Sequence, residues 1–297
     1  MKKIIIAFII VYNVAFWLII SKGIVDEKLG ISDNKNVVID LTKKEVNELN
    51  KDDVKIDFEI EDKEKNFNVQ KNNEIGNDKL QIIDKDNVKE KFKYVIDDLD
   101  LNKHKSIYYL VNKKNYFPGD YIPQNLIIPN VKFPFKENLE KKYMRKEAAL
   151  ALEKLFDEAK KQNLDIYAIS GYRSYKRQES LYKNYVKRDG KEKADKYSAV
   201  AGSSEHQSGL VMDISNRESK FDLLQSFGNT KEGKWVKENA HKYGFIIRYA
   251  KEKENITKYM FEPWHLRYLG EEVATFIYEN NLAYEEFFDL LEIPYNK

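Results

Sequence analysis

The stretch Ser203-Ser204-Glu205-His206-Gln207-Ser208-Gly209-Leu210-Val211-Met212-Asp213-Ile214-Ser215 reads as a tight turn running into a short strand. It holds one of only four histidines in the chain, with an aspartate seven residues later. Ser208 and Gly209 are small enough to let the backbone bend, so both side chains can turn toward one point. Far downstream, Glu262-Pro263-Trp264-His265 brings a second histidine with an acid three residues before it. Two imidazoles and a carboxylate suit zinc, with a fourth position open to water. Glu262 is then left free to move a proton.

Each of these signals is weak alone, because a lone His206 is more often a hydrogen-bonded structural histidine than a ligand. Their combination within one compact region is what points to a site. In an ideal strand, residues three apart face opposite sides. Pro263 disfavours the helical region for Glu262 and removes a ladder donor. A local polyproline-like path, which repeats every three residues, is therefore expected to bring Glu262 and His265 to the same side. His104 sits among lysines and reads as solvated, and His241 reads as a packed polar residue.

Outward from this stretch, the chain alternates helix and strand. Met144 to Asn163 places Ala148, Ala151, Leu152, Leu155, Phe156 and Ala159 at helical spacing, with charged residues on the other face. Asp165 to Ser170 alternates as a strand with Ile166 and Ala168 on one face. Ser170-Gly171-Tyr172-Arg173-Ser174 then turns into a helix on which Gln178, Leu181, Tyr182, Tyr185 and Val186 recur. A helix over 233–243 ends at Gly244, a residue favoured in a left-handed cap. Phe245 to Tyr249 is a strand, and helices over 271–280 and 284–291 follow. The fold class is α+β: a small mixed sheet flanked by helices, with the zinc site in a cleft.

The 297 residues allow one substantial domain plus accessory segments. Three segments are expected: a membrane signal-anchor over 1–22, a charged, largely extracellular spacer over 23–104, and the catalytic domain over 105–297. Lys2 and Lys3 precede an apolar run from Ile4 to Ile20 broken only by Asn13, long enough to span a bilayer and without a small-residue cleavage pattern. The preceding lysines favour an inside N-terminus, which leaves the rest outside. A cleaved signal peptide is the competing reading. Residues 26–100 carry 21 acids against 14 lysines, whereas 101–297 carry 34 basic and 28 acidic residues. So mild a basic excess does not point to nucleic acid. Zero cysteines exclude disulfides, thiolate metal sites and an N-terminal lipidated cysteine.

The segments around Ser170 to Ser174, Ser203 to Asp213 and Glu262-Pro263-Trp264-His265-Leu266-Arg267-Tyr268 resemble the signature segments of VanY-type D-alanyl-D-alanine carboxypeptidases, a family of zinc peptidases. Leu110-Val111-Asn112-Lys113, Asp120-Tyr121-Ile122-Pro123 and Asn239-Ala240-His241-Lys242-Tyr243-Gly244-Phe245 extend the resemblance over roughly 107–270. It implies His206, Asp213 and His265 as zinc ligands and Glu262 as the catalytic acid/base. It also implies that Arg173, Gln178 and Ser204 hold a substrate's terminal D-alanine, with Tyr249 a further contact. Trp264 is a candidate contact at the site wall. Two positions depart from the family's usual pattern: Ala201 where proline is common, and Lys258 where glycine often stands.

The roles follow from the chemistry. Zinc makes a water acidic enough to attack near neutral pH, and Glu262 takes its proton and passes it to the leaving amine. The planar fork of Arg173 grips a free C-terminal carboxylate, which makes an exopeptidase. The expected substrates are peptidoglycan stem peptides, cut in D,D or L,D fashion, with membrane attachment through the N-terminal helix. The alternatives are a wall endopeptidase of the same fold, or a non-catalytic wall-binding module that kept the zinc. Oligomeric state and physiological role are not readable from the residues.

Overall fold

The computed structural model describes residues 83–296. The expected anchor over 1–22, and the expected spacer up to residue 82, lie outside the described residues. Among the described residues no helix is long and apolar enough to cross a membrane. The chain divides into two units, one of residues 1–94 with 290–292, the other of residues 95–289 with 293–297. In the first, helix α1 (Lys85–Lys91) starts at Asp84, whose carboxylate accepts the Asn87 backbone N–H at 3.1 Å. The end of the segment read as spacer is thus helical, and α1 is followed by α2 (Lys93–Asn102).

The second unit is built on four strands: β1 (Ile166–Ser170), β2 (Val211–Asn216), β3 (Phe245–Tyr249) and β4 (Glu262–Tyr268). Their order across the sheet is β1-β2-β4-β3, and every neighbouring pair is antiparallel. The expectation of a mixed sheet is therefore corrected. Helices interleaved with strands leave the strand directions open. The connection from β1 to β2 holds two helices, α4 (Tyr175–Asp189) and α5 (Lys191–Tyr197), and returns the chain to the end of the sheet it left.

Alternation along the strands separates the two faces. Ile166, Ala168, Met212, Ile214 and Leu266 face the hydrophobic core. Helix α3 (Lys146–Lys161) packs there with Ala148, Ala149, Leu152, Leu155, Phe156 and Ala159 buried. This is the helical spacing read from sequence. Burying each leucine contributes roughly 1.5–3 kcal/mol. The residues between them, Asp213, His265 and Arg267, are withdrawn from solvent on the other face.

Helix α6 (Lys231–Asn239) runs into a short 3-10 turn and stops at Gly244, which adopts φ +81° as a left-handed cap. Helices α8 (Glu271–Glu279) and α9 (Tyr284–Leu290) follow β4, and a short α7 (Glu254–Thr257) precedes it. His241 is packed as expected: its Nδ1 lies 3.2 Å from Thr275 Oγ1 and its ring stacks on Tyr278. His104 differs from its expected solvated state. It is half-buried, edge-on to Tyr109 with ring centroids 4.6 Å apart, because the rings of Tyr109, Phe117 and Tyr121 gather around it.

Candidate active site

The sheet register assembles the site. Asp213 on β2 is paired with Ser170 on β1 and with His265 on β4. His206 comes from the turn over Glu205–Ser208 just before β2, which Gly209 ends at φ +71°. A Cβ at Gly209 would stand 2.9 Å from Leu126 Cδ2, so both the dihedral and the space call for glycine. The Ser208 hydroxyl holds the turn by donating to the Glu205 carbonyl at 2.5 Å and accepting the Leu210 N–H at 3.0 Å.

One ligand atom each from His206, Asp213 and His265 falls in a group spanning no more than 4.8 Å, and all three residues are buried. His206 Nδ1 donates to the Gly171 carbonyl at 2.7 Å, which turns the lone pair of Nε2 toward Asp213 Oδ2 at 3.3 Å. His265 Nε2 donates to Glu205 Oε2 at 3.2 Å, so its Nδ1 is the atom that faces Asp213. Asp213 Oδ1 lies 3.1 Å from that Nδ1 yet out of hydrogen-bonding geometry, and among the described residues this buried oxygen has no hydrogen-bond partner. Two imidazole nitrogens with their tautomers set from behind, and between the rings a carboxylate with one oxygen left unsatisfied, fit a divalent cation such as zinc.

Glu262 stands beside this group, its Oε2 3.7 Å from His265 Nδ1. The expected convergence of Glu262 and His265 is met where the strand's register is irregular. On β3, Ile247 pairs with Leu266 and Tyr249 with Glu262, so β4 spends four residues where β3 spends two. The irregularity falls between Glu262 and Leu266, a stretch that holds Pro263 with no N–H to give the ladder, and Glu262 lies on the His265 side.

Burial raises the Glu262 carboxyl to about 8, with the Asp213 charge adding to it and His265 and Arg173 opposing. Burial pulls His265 down, but the surrounding carboxylates of Asp213, Glu205 and Glu262 overcome this and bring it up to about 9. Burial and the nearby Arg173 lower His206. Burial works against the Asp213 charge, yet the two histidines hold its carboxyl well below the usual range.

Arg173 lies on the turn after β1. Its Nη1 donates to Gln178 Oε1 at 2.8 Å, its Nη2 to Ser170 Oγ at 3.2 Å, and its backbone N–H to the His206 carbonyl at 3.2 Å. A cavity of about 640 Å³ lined by Ser170, Tyr172, Arg173, Lys141 and Leu181 opens beside it. Gln178 is only 2% exposed, and its amide donates to the Ala199 carbonyl at 2.6 Å, so it braces Arg173 from behind. Ser204 is buried at the start of the histidine turn. The Tyr249 ring packs 4.8 Å from the His265 ring. Trp264 is not brought to this group; it packs against the hydrophobic core. Lys258 takes φ +63°, a left-handed conformation that explains why glycine suits that position.

Sequence reasoning missed Glu205, Arg248 and Arg267. Glu205 Oε1 accepts from Arg248 Nε at 3.0 Å and Arg267 Nη1 at 2.8 Å, all three side chains being fully buried. Burial opposes the Glu205 charge, but the two arginines hold its carboxyl well below the usual range. A carboxylate next to a motif histidine and an arginine on each of two strands were visible in the sequence. Only the register shows that they meet.

The family model for VanY, D-alanyl-D-alanine carboxypeptidase, matches residues 141–271. The chain is 54% identical over 180 residues to the protein YodJ of Bacillus subtilis, covering 61% of this chain and 66% of that one. It is 30% identical over 184 residues to the bifunctional D-Ala-D-Ala dipeptidase and D-Ala-D-Ala carboxypeptidase VanXYC of Enterococcus gallinarum, covering 61% and 93% of the two chains. The solved structure of the LdcB LD-carboxypeptidase matches with a TM-score of 0.62 at 52% identity, covering 64% of this chain and 89% of that chain. The chain spans between 45% and 66% of the length of YodJ and two enterococcal relatives.

Proposed function

Because the chain belongs to the VanY D-alanyl-D-alanine carboxypeptidase family, we propose that it is a zinc-dependent carboxypeptidase that removes the terminal D-alanine from peptidoglycan stem peptides. The observation that carries this reading is the Asp213 carboxylate between the two imidazoles, its unsatisfied Oδ1 facing His265 Nδ1 and its Oδ2 facing His206 Nε2, with Glu262 alongside. His206, Asp213 and His265 would hold the zinc. When bound, it supplies Lewis-acid polarisation of the scissile carbonyl and a more acidic water.

The chain's own residues do the rest. Glu262 takes a proton from the attacking water and delivers it to the leaving amine, and its raised pKa makes it a strong proton acceptor once ionised. Arg173 pairs with the free carboxylate of the terminal residue, and Gln178 and Ser170 keep its guanidinium aimed. Tyr249 walls the site beside His265. Ser204, close to His206 in the same turn, is the remaining contact proposed for the terminal residue.

The likeness to the LD-carboxypeptidase LdcB, at 52% identity, supports the tetrapeptide as the preferred substrate. Incubating the zinc-loaded protein with tetra- and pentapeptide stems and reading product masses tests this. Loss of one alanine from the tetrapeptide is expected; loss from the pentapeptide alone reverses the preference, internal cleavage makes the protein an endopeptidase, and unchanged masses leave a non-catalytic module. Residues 1–22 are proposed as a membrane anchor with the catalytic domain outside. N-terminal sequencing of the exported protein checks this, and a mature start near residue 23 removes the anchor.

A further inference from the structure

Arg248 and Arg267 are the two largest fully buried side chains among the described residues. Both donate to Glu205 Oε1, which leaves Oε2 to accept the His265 Nε2–H. Arg267 is tied on its other side to the carbonyls of Ile107 and Tyr109, at 2.8 and 3.0 Å. Arg248 is tied to a carboxylate: its Nη1 and Nη2 donate to Glu285 Oε2 and Oε1 at 2.8 and 2.6 Å. Glu285 lies on helix α9, beyond residue 271 where the family match ends. The line Glu285–Arg248–Glu205–His265 is continuous, and each member is buried.

We propose that Glu285 is a positioning residue for His265, acting through Arg248 and Glu205. This inference rests on the reading of His265 as a metal ligand. Two carboxylates share the Arg248 guanidinium, Glu285 at Nη1 and Nη2 and Glu205 at Nε, so Glu205 keeps Oε2 for the imidazole. Without the Glu285 charge, Arg248 remains a buried cation whose one other carboxylate contact among the described residues is Glu205. In so poorly screened a place the guanidinium draws that carboxylate toward itself and away from His265 Nε2. The imidazole then loses the acceptor that sets its orientation and its tautomer. Tyr284, the neighbour of Glu285, provides a control. Its hydroxyl donates to the Tyr108 carbonyl at 2.6 Å, and its ring lies against both guanidiniums. Tyr284→Phe keeps the ring and every carboxylate contact.

The test is a zinc titration of the metal-stripped full-length chain against a competing chelating dye, with thermal unfolding of the same metal-free samples. Glu285→Gln is expected to raise the apparent zinc Kd roughly tenfold or more, the range found for partners behind metal ligands. It should also lower kcat for the stem peptide without raising KM. Tyr284→Phe is expected to lower the melting temperature without moving the zinc Kd. Glu285→Asp, which keeps the charge on a shorter arm, should fall between the parent and Glu285→Gln. A parental zinc Kd in folded Glu285→Gln overturns the proposal; if that variant does not fold, a parental Kd in Glu285→Asp overturns it. A parent chain that takes up no zinc instead overturns the reading of the site on which the proposal rests.

Discussion

Asp213 and His265 face each other across two antiparallel strands, in register, with Asp213 Oδ1 3.1 Å from His265 Nδ1 and no hydrogen bond between them. Ordinary packing would have turned two buried polar atoms at that distance into a donor–acceptor pair, because an unsatisfied buried group costs about 1–3 kcal/mol. Here each partner is oriented from elsewhere, His265 by Glu205 and Asp213 by its place between two imidazoles. The pair is arranged for something placed between its members.

Glu262 lies beside the three candidate ligands without being one of them. Glu262→Gln keeps the shape and removes the proton acceptor. Zinc content by elemental analysis should stay at the parental level, while turnover of the stem peptide falls by roughly 10²–10⁴-fold. Residual turnover near the parental rate would take Glu262 out of the reaction.

Arg173 is placed to recognise a free carboxylate, and hydrogen bonds to charged groups contribute about 1.5–3 kcal/mol each. Arg173→Ala is therefore expected to weaken kcat/KM by about one to two orders of magnitude. Blocking the peptide's C-terminus as an amide should reproduce most of that loss in the parent enzyme. Equal cleavage of acid and amide by the parent contradicts the carboxylate clamp.

Gly171 connects backbone packing to the metal site. A Cβ there would lie 2.5 Å from the Tyr143 carbonyl oxygen and 2.9 Å from Met212 Cε, while the Gly171 carbonyl accepts the His206 Nδ1–H. Gly171→Ala should cost about 1–3 kcal/mol of stability by overpacking. It should also weaken zinc binding, because the His206 ring loses its fixed acceptor. Urea unfolding and zinc titration of the same variant check the two effects separately.

The pH dependence of the metal-free chain has a definite sign. The Glu262 carboxyl goes from 4.5 to about 8, and His265 from 6.5 to about 9. Both bind protons more tightly in the folded state, so their contribution is present below the ordinary values and is lost as pH rises through the folded ones. Melting temperatures in chelator should therefore fall between about pH 6.5 and pH 9, above the range in which the lowered His206 works the other way. The stabilisation given by added zinc should grow over the same interval, because those protons must leave before the ligands bind. A metal-free melting temperature that climbs toward pH 9 contradicts this assignment.

The ligand set was legible because it occupies two short segments whose residue types are chemically unusual together. The core helix over 146–161 was legible because its apolar residues recur at helical spacing over four turns. Sheet direction was not, since the same helix–strand alternation serves parallel and antiparallel neighbours when a connection holds two helices. Glu262 lies on the His265 side where the register is irregular, and a proline only signals that the ladder is broken there, not how it repairs. Glu205 was invisible as a support because its partners Arg248 and Arg267 are 43 and 62 residues away. Trp264, one residue before His265 and two after Glu262, reads in the sequence as a candidate site contact, yet it packs with the hydrophobic core.

The most direct test of the account is anomalous diffraction at the zinc edge from crystals of the zinc-loaded protein. The account predicts one strong peak in contact with His206 Nε2, an Asp213 carboxylate oxygen and His265 Nδ1, with Glu262 outside the ligand set. A peak elsewhere, or none among these three side chains, contradicts it.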